Sequence, residues 1–206
     1  MSEKFLVVAN GEPPSFQLLQ SLLRQKCTLV AVDGGLFTCL QYSLEPQLLM
    51  GDFDSVSEEK RQEFSFISQI HTPDQNKSDL EKTLAHLLTL TTQEITVCGA
   101  LGKRLDHTLA NICLLSRYPG KVKFETDTET CFALLKSNIL TCQIGQTLSL
   151  IPLSTCVSGV NTQGLEWELK NAVLDKCFFS ISNVCAETQV TIELEEGDLI
   201  ACLARS

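Results

Sequence analysis

Ile95-Thr96-Val97-Cys98-Gly99-Ala100-Leu101-Gly102-Lys103-Arg104-Leu105-Asp106-His107 passes from a short apolar segment through a glycine-containing loop into a helical pattern. Ile95–Cys98 is uninterrupted and rich in β-branched residues, which predicts a strand. A helix is expected from about Asp106 to Ser116. The same strand–loop–helix succession recurs upstream. Phe5-Leu6-Val7-Val8-Ala9 reads as a buried parallel strand. Ser15 caps a pattern with Phe16, Leu19, Leu22 and Leu23 on one face. Thr28–Val32 is a second strand, ending at Asp33-Gly34-Gly35. Leu48-Leu49-Met50 leads into Gly51-Asp52-Phe53-Asp54-Ser55, and Ser57 caps a short helix that begins Glu58-Glu59. Phe66–His71 is a further strand. Ser78-Asp79-Leu80-Glu81 is a capping box before the stripe Leu80, Leu84, Leu87, Leu88. Val122-Lys123-Phe124 closes the series. This alternation defines an α/β domain with a mostly parallel sheet.

Beyond about residue 128 the helical periodicity stops. Short runs take over: 131–135, 139–144, 147–151, 156–160, 165–169, 177–182, 189–194 and 199–203. Turn signals such as Gln163-Gly164 and Glu196-Gly197-Asp198 separate them. The expectation is an N-terminal α/β domain over residues 1–128, followed by a C-terminal all-β sandwich over 129–206.

Composition narrows the function. The 206 residues carry 16 Lys+Arg against 25 Asp+Glu, a net charge of −9, which argues against a nucleic-acid partner. No run approaches the ~18 apolar residues of a membrane span, and Phe5–Ala9 is too short for a signal peptide. The ten cysteines include no pair at zinc-knuckle spacing. Most lie in apolar runs, as in Ile112-Cys113-Leu114 and Ala201-Cys202-Leu203, so they are read as reduced thiols of a cytoplasmic protein.

In an open α/β sheet, ligands bind beyond the carboxyl ends of the strands. There the sequence places Asp33-Gly34-Gly35 after one strand, and collects the five acids Asp52, Asp54, Asp74, Asp79 and Asp106. Carboxylates gathered at one edge repel unless a cation sits among them, and Mg²⁺ suits hard oxygen ligands shared with phosphate. The loop Gly99–Asp106 adds glycines that admit phosphate closely, and Arg104 can fork onto phosphate oxygens. Acids for metal and a Gly/Arg loop for phosphate point to phosphoryl or pyrophosphoryl transfer. No P-loop and no Gly-x-Gly-x-x-Gly after the first strand is present. In the β half, alternation puts Leu165, Trp167 and Leu169 on one face. Trp167 is then either core or a stacking platform for a flat heterocycle. Ser180-Ile181-Ser182-Asn183 places small polar groups at a strand end.

Together these segments resemble the thiamine pyrophosphokinase family over nearly the whole chain. The resemblance rests on Asp33-Gly34-Gly35, Gly51-Asp52-Phe53-Asp54-Ser55, Thr72-Pro73-Asp74-Gln75 with Ser78-Asp79, Gly99-x-x-Gly102-x-Arg104-x-Asp106-His107, Gly164-Leu165-x-Trp167-x-Leu169 and Ser180-x-Ser182-Asn183. It implies transfer of pyrophosphate from ATP to the hydroxyl of thiamine, releasing AMP. Asp52, Asp54 and Asp79 would hold Mg²⁺. Asp33, Gln75, Ser78, Gly102 and Arg104 would bind ATP. Asp106 would orient or deprotonate the hydroxyl, or ligate metal. Trp167, Ser182 and Asn183 would bind thiamine. The resemblance further implies a homodimer whose active sites are shared across the interface. The acidic net charge suits a cationic thiazolium. Lys103 departs from the pattern, since the family usually has a glycine there. Two other classes share these features: a metal-dependent phosphohydrolase and a non-catalytic thiamine- or nucleotide-binding protein.

Overall fold

The computed structural model describes residues 3–52 and 66–205. Asp54 and the helix expected at Ser57 lie outside them. The chain divides into two compact units, Met1–Leu114 with Phe124–Asp127, and Leu115–Lys123 with Thr128–Ser206.

The first unit is built on parallel strands in the order β5 (Ile95–Cys98), β1 (Phe5–Val8), β2 (Thr28–Val32), β3 (Leu48–Gly51), β4 (Ser68–His71). β6 (Val122–Glu125) follows beside β5. Among the described residues four helices connect the strands: α1 (Phe16–Leu23), α2 (Gly35–Gln41), α3 (Asp79–Leu90) and α4 (Leu105–Leu115). β1 is buried along its whole length, as expected for a strand covered on both faces. The caps read from the sequence are in place. Ser15 accepts from Leu18 N–H, and Ser78 accepts from Glu81 N–H, both at 3.2 Å. Leu18, Leu19 and Leu22 of α1 pack with Leu6, Val8, Leu29 and Ala31 of the sheet.

α2 has no counterpart in the sequence reading, because Gly34-Gly35 looks like a loop. Its first residue lies so close to β1 that a Cβ on Gly35 would meet Val8 O at 2.0 Å. The glycine is there for approach, and the helix starts at once.

The second unit is a sandwich of antiparallel strands. β12 (Ser180–Val184), β9 (Thr147–Pro152), β14 (Leu199–Ala204) and β7 (Glu129–Ala133) lie side by side in that order. The other sheet runs β11 (Ala172–Asp175), β10 (Cys156–Gln163), β13 (Gln189–Glu193), β8 (Ser137–Thr141). Leu148, Leu150 and Ala201 of one sheet share a core with Val157, Leu174, Val190 and Ile192 of the other.

The strand expected at 165–169 does not form. Only Leu165 makes a bridge, to Cys185. Leu165 is buried, while Trp167 is 58% exposed, so the residues do not share a face. Gly164 turns the chain at φ +83°, and the backbone of Trp167 is taken up by the Asn183 side chain instead of a neighbouring strand. The core reading of Trp167 is thereby removed. Cysteines differ in a similar way: Cys39, Cys98, Cys131, Cys142 and Cys185 are buried, but Cys113, Cys156 and Cys177 are exposed. No helix among the described residues is long and apolar enough to cross a membrane.

Candidate active site

From β1 the chain crosses outward through β2, β3 and β4, whereas β5 lies on the other side of β1. The carboxyl ends of β1 and β5 therefore flank a topological switch point, where a crevice is expected. A cleft of about 350 Å³ lies there, lined by Asn10, Gly11, Asp33, Ser78, Asp79, Gly102, Lys103, Arg104, His107 and Asn111, among others. Its floor is a backbone zipper between the two post-strand loops. Gly11 N–H donates to Gly99 O at 2.6 Å, and Glu12 N–H to Leu101 O at 2.7 Å. Asn111, almost fully buried on α4, donates to Ala100 O at 2.6 Å and pins the glycine loop from behind.

Asp33 enters from β2 in a left-handed conformation, φ 45°. Its N–H donates to Met50 O at 2.9 Å, while Oδ1 is buried without a hydrogen-bond partner among the described residues. A buried carboxylate oxygen left unpaired is costly, and a cation or a donor arriving in the cleft would satisfy it.

Asp52 and Asp79 meet at the end of β3. Asp52 N–H donates to Asp79 Oδ1 at 3.2 Å, and Gln75 Nε2 reaches Asp52 Oδ2 at 3.4 Å. Lys82, whose side chain is 8% exposed, pairs with Asp79 Oδ1 at 2.8 Å. Its ammonium also donates to Thr72 O at 2.6 Å and Asp74 O at 3.0 Å. Lys82 thus ties the loop after β4 to the first turn of α3 and keeps Asp79 beside Asp52. Asp74 points elsewhere: its carboxylate accepts from the backbone and side chain of Asn76, which hold it below the ordinary carboxylate range.

In the glycine loop, Gly102 (φ 83°) and Lys103 (φ 57°) are both left-handed. Lys103 Nζ donates to Asn10 Oδ1 at 3.3 Å across the cleft. Gly102 N–H is taken by Thr108 Oγ1 at 3.0 Å. Arg104 forks onto Asp106, with Nη2 to Oδ2 at 2.6 Å and Nε to Oδ1 at 3.2 Å. That fork, and then the His107 N–H on Oδ1, hold the Asp106 carboxyl down to about 2. A carboxyl so acidic is a weak proton acceptor near neutrality, so the geometry favours orienting Arg104 over removing a proton.

The residues expected to meet a ring lie in the second unit. Asn183, 3% exposed, accepts from Trp167 N–H at 3.2 Å and donates to Trp167 O at 2.8 Å. It also accepts from Val184 N–H at 2.9 Å. Its amide is engaged in holding the Trp167 backbone, with the indole left outside. Ser182 is left-handed, φ 57°, and its N–H donates to Ser149 Oγ at 3.0 Å.

The structure therefore gathers Asp33, Ser78, Asp79, Gly102 and Arg104 at one cleft, with Asp52 and Gln75 bonded to that group and Asp106 on Arg104. Trp167, Ser182 and Asn183 form a separate group. Sequence reasoning missed Asn10, Lys82 and Asn111. Asn10-Gly11 directly follows the first strand, and Asp79/Lys82 has helical i,i+3 spacing; both signals were available. Asn111 carried none.

A parallel α/β unit with a polar cleft at its switch point, continued in the same chain by an antiparallel sandwich, is the class that fold and site define. Two family models match it: "Thiamin pyrophosphokinase, catalytic domain" over residues 19–128, more than half of the chain, and "Thiamin pyrophosphokinase, vitamin B1 binding domain" over 136–199. The chain belongs to the thiamin pyrophosphokinase family. It is 28% identical over 209 residues to thiamin pyrophosphokinase 1 of Caenorhabditis elegans, covering 89% of this chain and 82% of the relative. It is also 28% identical to thiamine pyrophosphokinase 1 of Arabidopsis thaliana, over 76% of this chain and 64% of the relative. The chain thus spans less than two thirds of that plant protein's length. Among solved structures, thiamine pyrophosphokinase from Bacillus subtilis superposes with a TM-score of 0.87 at 22% identity, covering 99% of this chain and all of that one. The enzyme from Candida albicans does so at 0.83 and 21%, over 100% and 90% of the two chains. These likenesses establish the fold.

Proposed function

We propose that the chain is a thiamine pyrophosphokinase: ATP + thiamine → AMP + thiamine diphosphate. The observation that carries this is the convergence of Asp33, Asp79 and the Gly99–Arg104 loop on one cleft at the β1/β5 switch point, in a chain matched by both family models. Residues 1–128 are the nucleotide half and residues 129–206 the thiamine half. The thiamine hydroxyl oxygen gives up its proton to solvent and bonds to the β-phosphorus, the bond from that phosphorus to the oxygen bridging to the α-phosphate breaks, and AMP leaves with the electron pair. Arg104 and Lys103 bring positive charge to the phosphates, and Asp106 fixes the Arg104 fork. Gln75, Ser78 and Gly102 border the same phosphates, and Asp33 closes the cleft floor.

A divalent metal, Mg²⁺, fits the donor set. The buried oxygen of Asp33, without a hydrogen-bond partner among the described residues, and the carboxyl groups of Asp52 and of Asp79, the latter bonded to the Asp52 backbone N–H, are hard oxygen donors that gain from a cation; Asp54 completes the set by resemblance. When bound, the metal neutralises charge on the polyphosphate. Trp167 stacks on the pyrimidine, Ser182 hydrogen-bonds it, and Asn183 serves thiamine binding by aiming Trp167. A homodimer with shared sites is part of this reading. Its support is apolar surface on both units: Leu105 and Leu109 on α4 of the first, and Trp167, Phe178, Phe179 and Ile181 of the second, all exposed. A cytoplasmic home rests on the cysteine usage.

The test is product analysis. With ATP, thiamine and Mg²⁺, AMP and thiamine diphosphate should appear in equal amounts, and only with metal. ADP with thiamine monophosphate would refute the two-phosphate transfer, and phosphate release without thiamine would favour a hydrolase. Asp79→Asn should cut turnover by orders of magnitude. It also loosens the Lys82 ion pair, so its melting temperature should fall; Asp52→Asn, without that pair, should lose activity at near-normal stability. Near-normal turnover in both would return these acids to the surface.

A further inference from the structure

β7 and β14 carry a cysteine pair that the proposed site does not use. Cys131 and Cys202 are register partners in the antiparallel pairing of these strands. Backbone hydrogen bonds fix what kind of partners they are. Leu134 N–H donates to Leu199 O at 2.9 Å, and Arg205 N–H donates to Thr128 O at 2.7 Å. Both are hydrogen-bonded positions, and along an antiparallel pair these alternate with non-hydrogen-bonded ones. Counting inward from either end puts Cys131 opposite Cys202 at a non-hydrogen-bonded position. There the facing Cα atoms lie about 4.5 Å apart and the side chains are closest. That spacing falls inside the window of roughly 4.4–6.8 Å that a disulfide needs. The thiols already touch: Cys131 S–H donates to Cys202 Sγ at 3.3 Å. This bond holds the Cys202 thiol below its ordinary value, against burial and the Glu129 carboxylate, which both push it up. Cys202 is half-buried and Cys131 buried, so Cys202 is the more accessible of the two.

We propose that Cys131 and Cys202 are a modification site of the second unit, converted by a small-molecule disulfide into a cross-strand disulfide. Cys202, as thiolate, attacks one sulfur of the reagent RSSR and expels RS⁻. Cys131 then gives up its proton to RS⁻ and attacks Cys202 Sγ, expelling the second RS⁻. Two protein thiols are oxidised and one RSSR is reduced to two RSH. A second pair provides an internal contrast. Cys142 and Cys185 are both buried, and burial together with Cys185 pushes the Cys142 thiol up to about 12. That pair stays reduced.

The experiment treats the full-length protein with oxidised glutathione and maps its cysteines by differential alkylation and mass spectrometry. A chelator is present, because Glu129 lies with both sulfurs inside 4.8 Å and a metal held there would shield them. The expected result is one linked peptide pair, Cys131 with Cys202, reversed by dithiothreitol, with Cys142 and Cys185 fully alkylated. The link closes a separation of 71 residues, so the oxidised protein should melt above the reduced one. Cys202→Ser should lose that rise and Cys177→Ser should keep it. If the serine variant at 202 does not fold, the wild-type map decides. The proposal is overturned if Cys131 and Cys202 are recovered as free thiols after exposed Cys113, Cys156 and Cys177 have reacted. It is equally overturned if Cys202 stops at the mixed disulfide.

Discussion

Lys103 occupies a backbone conformation that suits glycine. At φ 57° a side chain crowds the following carbonyl, a cost of about 1 kcal/mol. A glycine would sit there without that cost, and the lysine instead puts a cation against Asn10 in the cleft. Lys103→Gly should therefore raise the melting temperature by about 2–4 °C while raising the KM for ATP. A variant that melts lower, with ATP binding intact, would mean that the Lys103–Asn10 contact matters structurally and the charge does not. Asp106 offers a second test. Its carboxyl is depressed in the folded protein, chiefly by Arg104. The unfolded chain therefore binds the proton more readily between the ordinary carboxylate range and about pH 2. The contribution to stability is present above that range and is lost as pH falls through about 2. Carboxyl-carbon NMR should show Asp106 ionised well below pH 4, and Arg104→Ala should return it toward an ordinary value. Unchanged titration in that variant would remove Arg104 as the cause.

At the scale of elements, what was legible followed from local chemistry. Ser15 and Ser78 announce helices because a hydroxyl before an apolar stripe has one obvious use, and both make that bond. The acidic and glycine loops are legible as strand ends, which places most of the cleft from local sequence. What failed was whatever depends on a distant partner. Period-two alternation reads Leu165-Glu166-Trp167-Glu168-Leu169 as a strand, but no neighbour supplies a ladder. Asn183 takes the Trp167 backbone instead, and nothing in local sequence connects the two. Gly35 looked like a loop because its closeness to Val8 is tertiary. The same dependence makes a prediction. Asn183→Ala removes the hydrogen bonds to Trp167 and Val184, a loss of about 1–3 kcal/mol. Trp167 is the only tryptophan, so its fluorescence anisotropy should drop as the loop loosens. The KM for thiamine should rise more than that for ATP, with kcat little changed. A lower melting temperature with unchanged anisotropy would make Asn183 a plain core residue.

On the scale of the whole molecule, the residues proposed to bind phosphate and those proposed to bind the ring belong to different compact units, which invites a test of whether one active site draws on two chains. An equal mixture of Asp52→Asn and Trp167→Ala, exchanged at random so that half of the dimers are mixed, should regain about a quarter of wild-type activity if sites are hybrids and each parent is nearly dead. A mixture no better than the sum of its parents, with exchange verified by tagged pull-down, would place each site within one chain. The division of the chain has a temporal side as well. Ser15, which starts α1, gives its backbone N–H at 2.8 Å and its hydroxyl to Asp127, 112 residues later. Phe124, among the most deeply buried side chains, belongs to the same first unit. From the last residue of α4 onward, Leu115–Lys123 goes to the other unit. During synthesis the first helix therefore waits for its last partner until the ribosome has made well over half of the protein. Such long closures slow folding and extend the interval in which an incomplete unit is exposed to chaperones and proteases.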